Sequence, residues 1–193
     1  MIHLLLKGKK VVLASESPRR KKIFSMIGVH ALQMPAHLDE PIEDIPPHKY
    51  VMKYAKLKAE AVYKNMDSDC LIVGADTIVY MDHKILGKPR DVFQAADYLS
   101  MLAGNRHDVY TGICVAHKHR YYTAYEKTSV EFKPMTLFEI EEYIKTNEPM
   151  DKAGAYGIQG YGGQFIRKVN GCYFNVMGFP VSCFHELLKK IFS

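Results

Sequence analysis

The chain has 193 residues, 48% of them apolar, and a formal net charge of +5. That length suits one large α/β domain, or two lobes sharing a core, and the modest charge tolerates anionic ligands without the concentrated basic stripe of a nucleic-acid binder. No apolar run approaches the length of a membrane span.

The N-terminal MIHLLLKGKK lacks a basic region ahead of its apolar residues and a cleavage-like site, so it is not read as a signal peptide. Cys70, Cys114, Cys172 and Cys183 show no CxxC spacing and sit in apolar segments. They are read as reduced core cysteines of a cytoplasmic protein rather than as disulfides or zinc ligands.

Val11–Ala14 forms a short apolar run, the pattern of a buried strand. Ser15, Glu16 and Ser17 end it, and Pro18 suits the first position of a helix that Ser17 would cap. Arg19, Arg20, Lys21 and Lys22 then crowd the positive end of the helix dipole, an arrangement that costs stability unless an anion is bound there. Lys21 and Lys22 read as a solvated basic face. Ser15, Arg19 and Arg20 read as a phosphate site, with guanidinium forks suited to phosphate oxygens. Ile23, Phe24 and Ile27 give the helix an apolar stripe, and Gly28 ends it.

A second strand is predicted around residues 30–34. The segment PAHLDEPIEDIPPHK follows as a loop carrying Asp39, Glu40, Glu43 and Asp44. Two readings stand: a solvated acidic loop, or Asp39 or Glu40 holding a metal ion against the phosphate site. In the helix predicted over residues 48–65, Val51, Tyr54, Ala55 and Val62 share one face with Lys58 in its middle. Lys58 either snorkels outward or points into a polar cleft.

Residues 70–73 read as a buried strand, with Gly74 marking a bulge before the pattern resumes at residues 78–80. A two-residue turn at Asp82–His83 would return the chain so that Lys88 lies opposite Thr77 and diagonal to Asp76. A lysine neighbour favours the ionised carboxylate, able to bind a metal or take a proton from water. Asp91 caps a helix ended by Gly104, and two strands meet at a polar turn over residues 117–120. His107, His117 and His119 lack the spacing of a zinc site, and the latter two read as a solvated turn. Thr136 and Glu139 form a capping box.

The segment NEPMDKAGAYGIQGYGGQFI places Gly154, Gly157, Gly160, Gly162 and Gly163 within ten residues. Glycine lets backbone approach a ligand closely, yet this is neither a Walker loop nor a GxGxxG after a strand. Gln159 within it offers the donor and acceptor that a base edge needs. A hairpin with a turn at Asn170–Gly171 is predicted next, its second strand over residues 173–176. A closing helix spans residues 181–192.

Together LASESPRR, GADTIV, LGKP and EPMDKAGAYGIQG resemble the Maf family of nucleoside triphosphate pyrophosphatases, across nearly the whole chain and in the expected order. The resemblance implies one Maf-like domain over residues 1–193. Its α/β fold would be elongated and two-lobed, with a long twisted mixed sheet and a central cleft, related to inosine triphosphate pyrophosphatases. It implies cleavage of a nucleoside triphosphate to the monophosphate and pyrophosphate with a divalent metal, Mg²⁺ or Mn²⁺, and a homodimer. It implies no nucleic-acid or membrane partner.

SPRR, GADT and GIQG are similar to members acting on dTTP and UTP. Members directed at 7-methyl-GTP commonly carry Trp where Arg19 stands and another residue after the Asp. By this resemblance Arg19, Thr77 and Gln159 determine specificity, and Asp76 is the catalytic base. Ser15, Arg20, Lys58 and Lys88 bind phosphate, and Glu40 joins Asp76 at the metal, Glu40 by loop position alone. Two alternatives remain: the same chemistry on another nucleotide such as 7-methyl-GTP, and a septum-formation regulator acting through binding.

Overall fold

A computed structural model describes residues 1–192. The elements run α1 (Ile2–Leu5), β1 (Val11–Ala14), α2 (Pro18–Met26), β2 (Ala31–Gln33), α3 (Pro47–Tyr63), β3 (Leu71–Met81), β4 (Lys84–Leu86) and α4 (Val92–Leu102). They continue β5 (Arg106–His117), β6 (Arg120–Phe132), α5 (Leu137–Lys145), β7 (Ile166–Asn170), α6 (Tyr173–Val176) and α7 (Val181–Phe192). The described strands form a mixed sheet in the order β2-β1-β3-β5-β6-β7, with β4 on β3. β1 pairs in parallel with both β2 and β3, whereas β3–β4 and β6–β7 are antiparallel.

Two compact units divide the chain. One comprises Met1–Asp76, Thr111–Glu126 and Gly178–Ser193, the other Thr77–Tyr110 and Lys127–Met177. β3, β5 and β6 each contribute residues to both.

In the first unit all four residues of β1 are buried, as expected of a central parallel strand covered on both faces. Phe24 of α2 packs on Phe179 and on Phe184 of α7, with ring centroids 4.9 and 5.8 Å apart. α3 turns Val51, Ala55, Ala59 and Val62 inward. Its approach to the sheet is set by two glycines. A Cβ on Gly74 would lie 2.1 Å from the carbonyl oxygen of Ala55, and one on Gly112 would lie 2.3 Å from that of Val51.

Gly74 is thus explained by helix packing and not by a bulge. β3 is unbroken from Leu71 to Met81, and Gly74 stays in register opposite Ala14. Gly74 and Asp76, two residues apart, share the strand face on which α3 lies.

The second unit has its own core, in which Val79, Leu99, Leu102, Phe132, Ile140 and Tyr156 are buried. Asp91 caps α4 by accepting from the Gln94 N–H at 2.8 Å. The capping box on α5 is complete: the Glu139 N–H donates to Thr136 Oγ1, and the Thr136 N–H donates to Glu139 Oε2.

Three further expectations fail. The Asn170–Gly171 hairpin does not form: β7 pairs with β6, Ser129 opposite Asn170, and residues 173–176 are the helix α6. Side-chain bonding decides this. Thr128 Oγ1 accepts from the Cys172 N–H at 3.0 Å and from Asn175 Nδ2 at 2.9 Å, holding the chain in a helical turn where a strand was expected. His117 is buried against Phe192 rather than solvated. The cysteines are all free, but only Cys70 and Cys114 are buried, while Cys172 and Cys183 are half-exposed. The short α1 has no side-chain cap.

Replacing Gly112 by Ala should push α3 off the sheet. The expected loss is about 2 kcal/mol or more, as for overpacking against backbone that cannot rotate away. Urea denaturation of Gly112→Ala against wild type, at unchanged m-value, measures it.

Candidate functional site

The turn after β1 is held by its own side chains. Ser15 Oγ accepts from the Ser17 N–H at 3.3 Å and from Arg20 Nη1 at 3.0 Å. Arg20 Nε donates to the Gly178 carbonyl at 2.8 Å, and Gln33 Nε2 donates to the Ser15 carbonyl at 3.1 Å. Ser17 occupies the N-cap of α2, but its hydroxyl makes no capping bond.

Ser15 and Arg20 are therefore buried together, and Arg20 braces the turn as well as carrying charge. Burial pushes the guanidinium pKa down most, while the charge of Asp76 works the other way. Arg19 stands half-buried beside it, and Lys21 and Lys22 are exposed.

The acidic loop folds onto α3. Tyr50 Oη donates to the carbonyls of Glu40 and Pro41, both at 3.3 Å. Tyr54 Oη donates to the Pro41 carbonyl and to the Glu43 carboxylate, which also takes Lys53 Nζ. The two tyrosine rings lie 4.6 Å apart. Burial is the largest influence raising both phenol pKa values, and carboxylates nearby add to it. Both hydroxyls thus keep the protons they donate.

This clamp sets Glu40 beside Lys58. Lys58 Nζ lies 2.7 Å from Glu40 Oε1 and 2.7 Å from Asp76 Oδ1. Of the two sequence readings for Lys58, the inward one holds: 11% of its side chain is exposed. Asp76 is 4% exposed, and its Oδ2 is buried with no hydrogen-bond partner among the described residues. A buried carboxylate oxygen left without a donor is costly. One ammonium is shared between the two carboxylates, and the Arg20 guanidinium feels the charge of both. Asp39 is exposed and makes no ion pair with a described residue.

In the second unit, β4 pairs with β3 in the register Val79–Leu86, Tyr80–Ile85 and Met81–Lys84. Asp82 and His83 both have positive φ, 47° and 62°, as a two-residue hairpin of the primed type needs. The ladder ends at Leu86, and Lys88 follows in a bend rather than in paired strand opposite Thr77. Thr77 is half-buried and Lys88 exposed. The Gly154 N–H donates to the Gly87 carbonyl at 3.0 Å, which joins the glycine-rich segment to this hairpin.

The glycines there approach protein, not ligand-facing space. A Cβ on Gly154 would meet Val79 at 2.7 Å, one on Gly160 would meet Glu148 Oε2 at 2.4 Å, and one on Gly162 would meet Tyr143 Oη at 2.5 Å. Gln159 lies half-buried between them.

The histidines stand apart from this chemistry. His107 Nε2 is 2.8 Å from Tyr156 Oη, and burial pushes the ring pKa down to about 4. Among the described residues, no three His, Cys, Asp or Glu side chains group so as to hold a metal by themselves. Sequence reasoning missed the tyrosine clamp. Its one trace is the Tyr50/Tyr54 spacing at i, i+4, directly after a proline-rich acidic loop.

The Maf-like protein family matches residues 10–191 of the chain. A dTTP/UTP pyrophosphatase of Caldicellulosiruptor saccharolyticus is 43% identical over 189 residues, 95% of each chain. One of Bacillus cereus is 41% identical, over 98% of this chain and 95% of the relative. One of Chlorobaculum tepidum is 41% identical, over 95% and 96%. Among solved structures, the Staphylococcus aureus Ham1 protein superposes with a TM-score of 0.50 at 16% identity, over 82% of this chain and 80% of that one. That likeness is one of fold.

The Glu40 carboxyl is held above its usual pKa by burial first and by the charge of Asp76 second, with Lys58 pulling it down. The folded protein therefore holds this proton more tightly than the unfolded chain does. The corresponding stability is fully present below the unfolded pKa and is lost as pH rises through the folded one. Glu40→Gln removes that loss. The variant should be more stable than wild type near neutral pH and equal to it below about pH 4. Denaturant midpoints at the two pH values check this. A variant weaker at neutral pH would show that the Lys58 ion pair outweighs the burial.

Proposed function

The chain belongs to the Maf-like protein family, and from that premise we propose that it hydrolyses dTTP and UTP to the monophosphate and pyrophosphate. Two lines support the reading. The relatives above, at 41–43% identity over nearly full length, carry the name dTTP/UTP pyrophosphatase. The observation that carries the chemistry is the buried trio of Lys58, Asp76 and Glu40.

Water adds to the α-phosphorus, the bond to the α–β bridging oxygen breaks, and pyrophosphate leaves. Asp76 accepts the water proton. Lys58 holds Asp76 in place through Oδ1. Arg19, Arg20, Lys58 and Lys88 supply cations for the triphosphate and for the charge growing on the leaving group. Ser15 and the α2 N-terminus add hydrogen-bond donors to phosphate. Arg19, Thr77 and Gln159 select the base.

A divalent cation fits this donor set. Mg²⁺ takes one or two carboxylates and completes its shell with phosphate oxygens and water. Asp76 Oδ2 and the Glu40 carboxylate are the oxygens offered. Bound there, Mg²⁺ or Mn²⁺ would neutralise phosphate charge and lower the pKa of a bound water.

Pyrophosphate release from a panel of nucleotides, with and without Mg²⁺, tests the reading. Turnover of dTTP and UTP well above GTP is expected, together with loss of turnover on chelation. Asp76→Asn should fold normally and lose about 100-fold or more in kcat. Wild-type turnover in that variant would send the proton elsewhere.

A further inference from the structure

The glycine-rich segment is fastened at both ends by two side chains with no role in the proposed reaction. The Gly157 N–H donates to Tyr143 Oη at 3.2 Å, and Tyr143 Oη in turn donates to Glu148 Oε1 at 2.9 Å. Glu148 Oε1 also accepts the Gly162 N–H at 3.1 Å, and its Oε2 accepts the Tyr161 N–H at 2.9 Å. One hydroxyl and one carboxylate thus hold backbone on both sides of Gln159.

The pair is itself fixed. Tyr143 is 3% exposed, lies on the capped helix α5 and packs on Phe165 with ring centroids 5.4 Å apart. Lys152 Nζ donates to the Glu148 carbonyl at 2.6 Å. The glycines record how close the fit is. Gly160 has φ +95°, and neither it nor Gly162 has room for a Cβ beside Glu148 and Tyr143. The Gln159 side chain, by contrast, makes no hydrogen bond to any described residue. The backbone around it is fixed while its amide is left for a ligand.

We propose that Tyr143 and Glu148 are a positioning pair which, by fixing the backbone from Gly157 to Gly162, aims the Gln159 amide and so sets the choice of base. The inference rests on the reading of Gln159 as a base-reading residue. Charge and shape both single out this carboxylate. A glutamine at 148 keeps the volume but replaces one acceptor by an N–H, which then faces a backbone N–H. A phenylalanine at 143 removes only the oxygen that links Gly157 to Glu148.

Steady-state rates on dTTP, UTP and GTP test it in wild type, Gln159→Ala, Glu148→Gln, Tyr143→Phe and the Gln159→Ala/Glu148→Gln double variant. Melting curves report folding alongside. We expect Glu148→Gln and Tyr143→Phe to raise KM for dTTP and UTP about tenfold, the scale of one lost hydrogen bond, with kcat nearly unchanged. Their preference over GTP should fall by the same factor. In the double variant the preference should fall no further than in Gln159→Ala alone, because both changes remove one interaction. A simple loss of fold would lower all substrates alike.

If Gln159→Ala keeps the wild-type ranking, the base-reading role of Gln159 is wrong and the pair has nothing to aim. If Gln159→Ala flattens the ranking while folded Glu148→Gln and Tyr143→Phe keep it, the positioning pair is overturned and Gln159 stands. Additive losses in the double variant overturn it equally. Should Glu148→Gln fail to fold, Tyr143→Phe carries the same comparison.

Discussion

α3 rests on the sheet through its own backbone. At Gly74 and Gly112 there is no side chain between strand and helix, and the carbonyls of Ala55 and Val51 occupy the space a Cβ would take. Ordinary helix-on-sheet packing keeps the two apart by the thickness of their side chains. Here two missing side chains bring α3 inward, with Ala55 and Ala59 completing the contact. Lys58 lies between those two alanines in sequence, so the same approach delivers its ammonium to Asp76, two residues beyond Gly74 on the same strand face. A glycine in mid-strand costs stability by itself. In this chain it sets the distance between the acid and its counter-ion.

That counter-ion shares the site with Arg20, whose guanidinium feels the charge of both carboxylates. Lys58 meets two carboxylates at equal distance, Asp76 keeps one oxygen without a donor, and Glu40 is held above its usual pKa by burial and by its neighbour's charge. Nothing in folding alone favours such an arrangement, since breaking or underfilling a buried charge network is destabilising. Relatives at 41–43% identity over nearly full length carry the name dTTP/UTP pyrophosphatase.

Local rules carried most of the fold. The strand before Ser15, Pro18 at the head of α2, the Asp91 cap, the capping box of α5 and the Asp82–His83 turn all follow from chemistry within four residues, and all are found. The failures share a cause too. Asn170–Gly171 reads as a hairpin turn, but Thr128, 44 residues away from Cys172, provides bonds that make the next residues helical. Gly74 reads as a bulge because α3 is invisible from within the strand. Sequence leaves Lys58 between two orientations because helical periodicity gives the face and not the partner. For the site, Asp76, Lys58 and Glu40 were named and are brought together. Arg20 was named for its charge, and its bracing of Ser15 and Gly178 needed coordinates.

The same device serves each unit separately. In the first, Tyr54 and Glu43 share a hydrogen bond and fasten the acidic loop that carries Glu40. In the second, Tyr143 and Glu148 share one and fasten the glycine-rich segment that carries Gln159. Tyrosine suits this use because its ring packs as an apolar body, with few rotatable bonds to freeze, while its hydroxyl reaches backbone. A carboxylate suits it because two oxygens can accept from several N–H or O–H groups at once. A loop held in this way keeps its main chain ordered. Catalysis and selection depend on groups being in place before substrate binds. Both loops here are placed by residues that a search for catalytic chemistry would pass over.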